Sequence, residues 1–415
     1  MEPILDGAAV VPTATVATLR EVAERLAPLE RTPCSPGERE AAEWIAARLR
    51  SAGLAHVMLE DEPSWGTFLP QVTALGALGT LAGVLALARR PRAAAVCAGA
   101  ALAGIVDEAQ NGPRLLRRAV RRRRTTVNVI GGAGDPDAQR TLVVLAHHDA
   151  PQTGIIFDQS LMIAAHKRWP ERIERGRTQL PQWWLGLAAP VGALVTLALR
   201  RRGPALAGTP LGALATALAA DVWRSPTVPG ANDNLSAVAA IVALAELLAE
   251  RPLTGVRVLL VSCGAEETLQ DGIRAFIASH GQELATDRTW FLNLDMIGSP
   301  HLAMLEGEGP IWMEEYAEPS FRDLVADVAE QQGTALERGF RARASSDSII
   351  PSRAGYPTAF LVSLTDWRVP ANYHLMSDVP KNLDYETIAR ATELAYGVAE
   401  RLAAHPGGGS DYRPR

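Results

Sequence analysis

Cysteine is scarce in this chain: Cys34, Cys97 and Cys263 are the three among 415 residues. An odd number with no CxxC pair excludes a disulfide framework and a thiolate metal knuckle, and makes a reducing compartment the simpler expectation. No large excess of charge of either sign is present. A net charge of −5 and a pI near 6.0 give no basis for nucleic acid as a partner. The opening residues, MEPILDGAAVVPTATVATLREVAERL, lack the basic start and long apolar core of a secretory signal. The closing stretch 405–415, HPGGGSDYRPR, is expected to form a disordered tail.

Helices are expected over 13–29 and 36–52. The second has Ser35 as N-cap, Pro36 in the first helical position, Glu38 to close a capping box and Gly53 at the exit. Its apolar face is Ala41, Trp44, Ile45 and Leu49. Beyond residue 125, short apolar runs alternate with amphipathic helices. The runs are Leu142–Ala146, Val256–Val261, Trp290–Leu294 and Thr358–Val362; the helices are 235–250, 267–279 and 384–403. Continuously apolar strands alternating with helices imply an α/β three-layer sandwich with a mostly parallel central sheet.

Two pairs of segments stand apart from that pattern. Thr73–Ala88 and Ala93–Val106 are joined by Arg89-Arg90-Pro91-Arg92; Trp183–Leu199 and Ala205–Ala220 are joined through Arg200-Arg201-Arg202-Gly203. Each pair is an expected hydrophobic helical hairpin, at 73–106 and at 183–220. The segments are 14 to 17 residues long, below the roughly 20 that a spanning helix usually needs. A four-segment membrane anchor is one reading, with Trp183-Trp184 at a lipid–water boundary and small residues packing the helices. A buried helical insertion, serving as a lid or dimer surface, is the other. Arg114, Arg117, Arg118, Arg121–Arg124, Lys167, Arg168, Arg172, Arg175 and Arg177 flank the hairpins on the side of the other motifs. The excess of basic residues over the hairpin turns predicts that side to be cytoplasmic. The Arg121–Arg124 run suits either anionic headgroups or plain solvent.

The chemistry gathers at the expected strand ends, where ligands of open α/β sheets collect. His147 in LVVLAHHDA ends the first run, with Asp149 two residues on to orient its imidazole and His148 as a competitor for the same role. Strand alternation points the two histidines opposite ways. Asp233 in PGANDN precedes a helix, where it is either a bridging carboxylate or a cap. Glu266-Glu267 follow the second run; adjacent carboxylates repel unless a cation or a proton lies between them. Asp295 in FLNLDMIG closes the third run, a costly place for an acid unless it is paired or metal-bound. His374 lies in the loop after the fourth, beside Tyr373 and four residues before Asp378. Surface or structural roles are expected for His166, His280, His301 and His405.

In this order, the motifs resemble the cocatalytic zinc exopeptidases of metallopeptidase family 28, which include bacterial leucyl aminopeptidase and aminopeptidase Y. The matching elements are His147/Asp149, Asp233, Glu266/Glu267, Asp295 and Tyr373-His374/Asp378, with Ser346-Asp347 and Gly355-Tyr356-Pro357 as lesser ones. The resemblance covers about residues 15–70 and 120–404. It implies a phosphorylase/hydrolase-like sandwich, a single zinc-peptidase domain over 1–404 interrupted by the two hairpins, and two Zn²⁺ ions. One ion would be held by His147 and Asp295 and the other by Glu267 and His374, with Asp233 bridging. Glu266 would be the general base, with Asp149 beside it in the catalytic set. The chain departs from the pattern at His148, where the family usually has an aromatic, at Ala150-Pro151, and at Thr268–Gly272, which lacks the usual glycine-leucine-x-glycine. These departures bear on the substrate pocket more than on the metals.

The function so implied is a membrane-associated di-zinc aminopeptidase acting on peptide or aminoacyl substrates. The hairpins would contact membrane lipid, and no nucleic acid would be involved. Water activated by the metals would lose its proton to Glu266. A mono-zinc enzyme similar to glutaminyl cyclases and a non-catalytic membrane receptor or scaffold are the alternatives. No residue is singled out for substrate binding.

Overall fold

The computed structural model describes residues 13–404; the tail expected at 405–415 lies outside them. The chain begins with helices α1 (Thr13–Leu26) and α2 (Pro36–Ser51), strand β1 (His56–Ser64), and helices α3 (Leu69–Leu87), α4 (Pro91–Ala109) and α5 (Leu115–Val120). Strands β2 (Arg124–Gly134) and β3 (Thr141–His147) follow. Next come helices α6 (Ser160–Arg168), α7 (Pro170–Glu174), α8 (Trp184–Leu199), α9 (Gly203–Arg224) and α10 (Ser236–Glu250). The remainder is β4 (Arg257–Cys263), α11 (Asp271–His280), β5 (Thr289–Leu294), β6 (His301–Glu308), β7 (Glu314–Glu315), α12 (Pro319–Gln331), β8 (Glu337–Ala342), α13 (Ile349–Arg353), β9 (Thr358–Leu364) and α14 (Tyr385–Ala404).

All four apolar runs are strands, and they lie side by side. The sheet has nine strands in the order β1-β2-β4-β3-β5-β9-β6-β7, with β8 also paired to β6. Within it β4, β3, β5 and β9 form a parallel block. On its two flanks β2 runs antiparallel to β4, and β6 antiparallel to β9, so the sheet as a whole is mixed. Side chains alternate across it as a strand requires. Leu142, Val144 and Ala146 of β3 join a core with α1, α2, α10, α12 and α14 on one face. Val143 and Leu145 face a second core with Ile273, Phe276 and Ile349 on the other. Burying each of these leucine or valine side chains stabilises the fold by roughly 1.5–3 kcal/mol.

Helix α2 starts as expected, with Ser35 Oγ accepting the Glu38 N–H at 3.1 Å. The capping box does not close. Glu38 turns away from Ser35 and accepts from the N–H groups of Cys34 and Ala265 and from the Thr126 hydroxyl. The carboxylate is almost fully buried, and burial lifts its pKa to about 8.

The hydrophobic segments form four helices longer than expected in three cases: α3 and α4 have 19 residues, α8 has 16 and α9 has 22. Prolines explain the earlier starts, since Pro70 and Pro91 fit the first turns of α3 and α4 and Pro204 that of α9, while α4 and α9 also continue past the uncharged stretch through Asp107-Glu108 and Asp221 to Arg224. The four pack together through small residues. A Cβ on Gly192 would stand 2.6 Å from Pro204 O, and one on Gly79 2.9 Å from Pro190 Cδ. By length and composition α3 and α9 are apolar enough to cross a membrane; so is the helical stretch Ala231–Glu250, but it lies inside the body of the fold.

Two of the flanking arginines are not at the surface. Arg114 pairs with Asp271, and Arg117 with Glu108, each pair buried. They tie the first hairpin to the loop after Glu267, and leave the count of exposed basic residues smaller than the sequence indicates.

Candidate metal centre

The site is built from loops leaving the carboxyl ends of β3, β4, β5 and β9, together with the turn before α10. His147 is the last residue of β3 and is buried. The next residue alternates away: His148 Nδ1 lies 2.9 Å from Ser262 Oγ, and burial pulls that imidazole down to about 4. His148 therefore faces away from the cluster, and only His147 faces the acids.

Asp233 sits between them all. Its Oδ1 is 3.3 Å from His147 Nε2, and its Oδ2 is 3.2 Å from His374 Nε2. On the first side Asp295 Oδ1 lies 3.6 Å from His147 Nε2; on the second, Glu267 Oε1 lies 3.6 Å from His374 Nε2. Two groups result, His147–Asp233–Asp295 and Asp233–Glu267–His374, each with ligand atoms within 4.8 Å of one another. His147, Glu266 and Glu267 satisfy the same criterion. Ligand atoms about 2.0–2.2 Å from a tetrahedral zinc stand roughly 3.3–3.6 Å apart. The observed separations of 3.2–3.6 Å are of that size. Asp295 Oδ1 is also buried with no hydrogen-bond partner among the described residues, which a cation would satisfy. The donor set fits divalent metal.

Without a cation the electrostatics are unfavourable. Burial lifts Glu266 well above the usual carboxylate range, helped by Asp347 and Asp295. Burial does the same to Glu267, helped by Asp233 and Glu266, and it raises Asp295. Burial would raise Asp233 too, but the two imidazoles hold it below its ordinary value. His147 is raised despite its burial by the carboxylates of Asp149, Asp233 and Asp295. Bound divalent ions would be the largest local charges and would return the acids to their ionised forms.

A layer of buried groups aims these ligands. Asp149 lies behind His147, with Oδ1 3.4 Å from its Nδ1. Its two oxygens accept the N–H groups of Glu266 and Glu267, each at 3.0 Å. Asp378 clamps the other turn in the same way, accepting from Asn232 and Asp233 at 2.7 and 3.1 Å. Asn232 and Asn234 hold the loop that follows β5, through the N–H groups of Gly298 and Met296. Arg31 donates to His148 O, Pro229 O and Gly230 O, which joins the His147 and Asp233 loops. The backbone is left-handed at Ala265, Met296 and His374, which are not glycines, and such strained positions cluster at functional sites.

The expected site residues all converge. Those that sequence reasoning passed over are Arg31, Glu38 and Gln270. Gln270 donates to Glu266 Oε1 at 2.7 Å from within the departing Thr268–Gly272 run. Its left-handed backbone and that of Leu269 gave no local signal in the sequence. Asp347 is also buried, with both oxygens lacking a hydrogen bond among the described residues, and burial lifts it to about 8. Three other histidines pair outside the site, His166 with Glu174, His280 with Glu60 and His301 with Asp366; His405 lies outside the described residues.

Residues 218–399 match the family model described as Peptidase family M28. The matched segment is less than half of the chain. It holds Asp233, Glu266, Glu267, Asp295 and His374, whereas His147, Asp149 and the first hairpin precede it. No curated protein matches the chain significantly. Among solved structures, an aminopeptidase from Aneurinibacillus sp. strain AM-1 is 16% identical with a TM-score of 0.53, over 94% of each chain. A Zn-dependent exopeptidase from Parabacteroides distasonis is 13% identical at TM-score 0.53, over 95% of this chain and 100% of the other. A glutaminyl cyclase from Bacteroides thetaiotaomicron is 13% identical at TM-score 0.52, over 94% and 99%. At these identities the likeness establishes the fold alone.

Proposed function

We propose that this protein is a membrane-associated aminopeptidase using two divalent metal ions, zinc by its donor chemistry. One arrangement carries the reading: each oxygen of Asp233 is faced by a separate imidazole, with a further carboxylate beside each. His147 and Asp295 would hold one ion, Glu267 and His374 the other, and Asp233 would bridge. When bound, the ions supply Lewis acidity to polarise a carbonyl and acidify water.

The remaining steps belong to the chain. Glu266 accepts a proton from the attacking water as the water oxygen joins the peptide carbonyl carbon. It returns that proton to the amine as the C–N bond breaks. Gln270, bonded to Glu266 Oε1, leaves the other oxygen free for that exchange. Asp149 acts as a positioning residue for both His147 and the Glu266-Glu267 turn. The buried wall around the cluster keeps bulk water out and strengthens these interactions.

The hairpins α3/α4 and α8/α9 are read as the membrane anchor. Exposed basic residues at their sheet-proximal end, among them Arg118, Arg122–Arg124, Lys167, Arg168, Arg172 and Arg175, outnumber the six at the turns, which favours a cytoplasmic catalytic side. Glutaminyl-cyclase-like neighbours support a one-metal alternative. The second imidazole–carboxylate pair around Asp233 favours two ions.

The test is metal content by elemental analysis of the purified full chain, with turnover of aminoacyl anilides set against cyclisation of N-terminal glutamine peptides. About two zinc ions per chain and anilide hydrolysis are expected. Glu266→Gln should lower kcat by about 10²- to 10⁴-fold with the metals retained. One ion with cyclisation alone, or near-normal hydrolysis by Glu266→Gln, would sink the reading.

A further inference from the structure

The hairpins and the candidate metal centre leave the same edge of the sheet. Ser64, at the end of β1, pairs with Arg124, at the start of β2, and farther along β2 Val129 pairs with Ser262 near the carboxyl end of β4. The first hairpin therefore departs from, and returns to, the edge at which His147 and Glu266 lie. The second departs after His147 and returns at Asp233. Its last helix reaches the site through one hydrogen bond and one ring contact. Asp221 Oδ2, in the last turn of α9, accepts the Ile155 N–H at 2.8 Å. Two residues on, the Phe157 ring lies 4.3 Å from the His374 ring.

The base of the bundle has the composition of a lipid–water boundary. With about 1.5 Å rise per residue, α3 and α9 are roughly 28 and 33 Å long, close to the ~30 Å hydrocarbon core. Trp184 opens α8, and Trp223 lies in the last turn of α9 with the Arg224 guanidinium over it at 5.6 Å. Indoles and arginines favour that depth. The connection from β3 to α8 runs beside the site and exposes Ile155 (72%), Leu161 (84%) and Trp169 (54%) amid Lys167 and Arg168. A short amphipathic segment of this kind lies in the headgroup layer.

We propose that the site opens at the bilayer surface, and that its substrates are peptides tethered in the same membrane with a free amino terminus a few residues from the headgroups. This deepens the aminopeptidase and membrane-anchor readings above and rests on both. The bond broken is the same peptide C–N bond, and water is the only co-reactant. The turn Ile155–Phe157 forms the wall between the lipid side and His374.

The test uses the full chain in phosphatidylcholine/phosphatidylglycerol nanodiscs with three peptides of one N-terminal sequence. One is free, one is lipidated at its carboxyl end through a spacer of about five residues, and one through about twenty. These spacers reach at most about 18 and 70 Å. The short-spacer peptide is expected to show at least tenfold higher kcat/KM than the free one, and to be cleaved no more slowly than the long-spacer one. Leu161→Glu with Trp169→Glu should lower that preference at least threefold. Equal rates on all three, or a short-spacer peptide that resists while the long one is cleaved, overturn the proposal. If no peptide is hydrolysed, the aminopeptidase reading has failed; if the protein does not stay with membranes, the anchor reading has failed. Either failure removes this proposal through its own separate readout.

Discussion

Asp149 Oδ1 accepts the backbone N–H of Glu266 at 3.0 Å, while Oδ2 takes that of Glu267. The same carboxylate stands behind the His147 ring. One fully buried side chain thus fixes a proposed metal ligand on β3 relative to the proposed base and a second ligand on the loop after β4. Charge-assisted bonds of this sort are about twice as strong as neutral ones.

Asp149→Asn is expected to keep the fold but to replace one acceptor by an amide N–H facing another N–H. Supporting groups of this kind are typically worth about 10- to 100-fold in metal affinity or activity. Zinc titration of the stripped protein, alongside kcat, measures it. Unchanged affinity and unchanged kcat would remove Asp149 from the positioning layer.

Gln270→Leu removes the donor to Glu266 Oε1 without touching a proposed ligand. A loss of about tenfold in kcat is expected, with KM and metal content nearly unchanged, since general-base efficiency follows the position and basicity of the base. The acid limb of the kcat–pH profile should move upward, because a bond that favours the ionised carboxylate is lost. A purely structural role for Gln270 would leave that limb in place.

Glu308 supplies a pH test away from the ligands. It is buried and accepts from Ser346 N, Ser346 Oγ and Tyr316 OH; burial lifts it from 4.5 to about 7. The folded state therefore holds a proton that the unfolded state gives up, and this contribution to stability is present below pH 4.5 and is lost as pH rises to about 7. Integrated, it amounts to about 3 kcal/mol. Denaturation of the parent and Glu308→Gln at pH 5 and pH 8 should show the parent losing stability relative to the variant at the higher pH.

Gly192 tests the bundle. A side chain there meets Pro204 O, so Gly192→Leu should force α8 and α9 apart at a cost of about 1–3 kcal/mol. The thermal midpoint is expected to fall, with zinc stoichiometry retained.

Much of this was legible in the sequence for a physical reason. The parallel strands are buried on both faces, so Leu142–Ala146 and Thr358–Val362 read as unbroken apolar runs. The antiparallel flanks carry no such signal. β1 (HVMLEDEPS) is largely exposed, and β2 mixes Thr, Asn and glycines, so neither stood out. Proposed ligands announced themselves as acids and imidazoles at strand ends. Their supports did not: Glu38 and Arg31 act across 227 and 117 residues of chain, and Gln270 acts across 4 through a left-handed backbone with no local signal. The local partner expected for Glu38, Ser35, is displaced by the neighbouring Cys34 N–H and by two distant donors, Thr126 and Ala265. The hairpin helices outrun the uncharged segments because Pro70, Pro91 and Pro204 fit first turns and because α4 and α9 carry on through charged residues, Asp107-Glu108 and Asp221 to Arg224.

Each insertion is pinched at its neck. Ser64 sits opposite Arg124 at the mouth of the first, and Gln152 bridges Thr227 at the mouth of the second. Excising 65–123 and 153–226 and closing each gap with a tight turn would re-route no strand, so the sheet body and the two hairpins are separable in principle. Asp271 would then need a replacement cation, since Arg114 departs with the first excised piece.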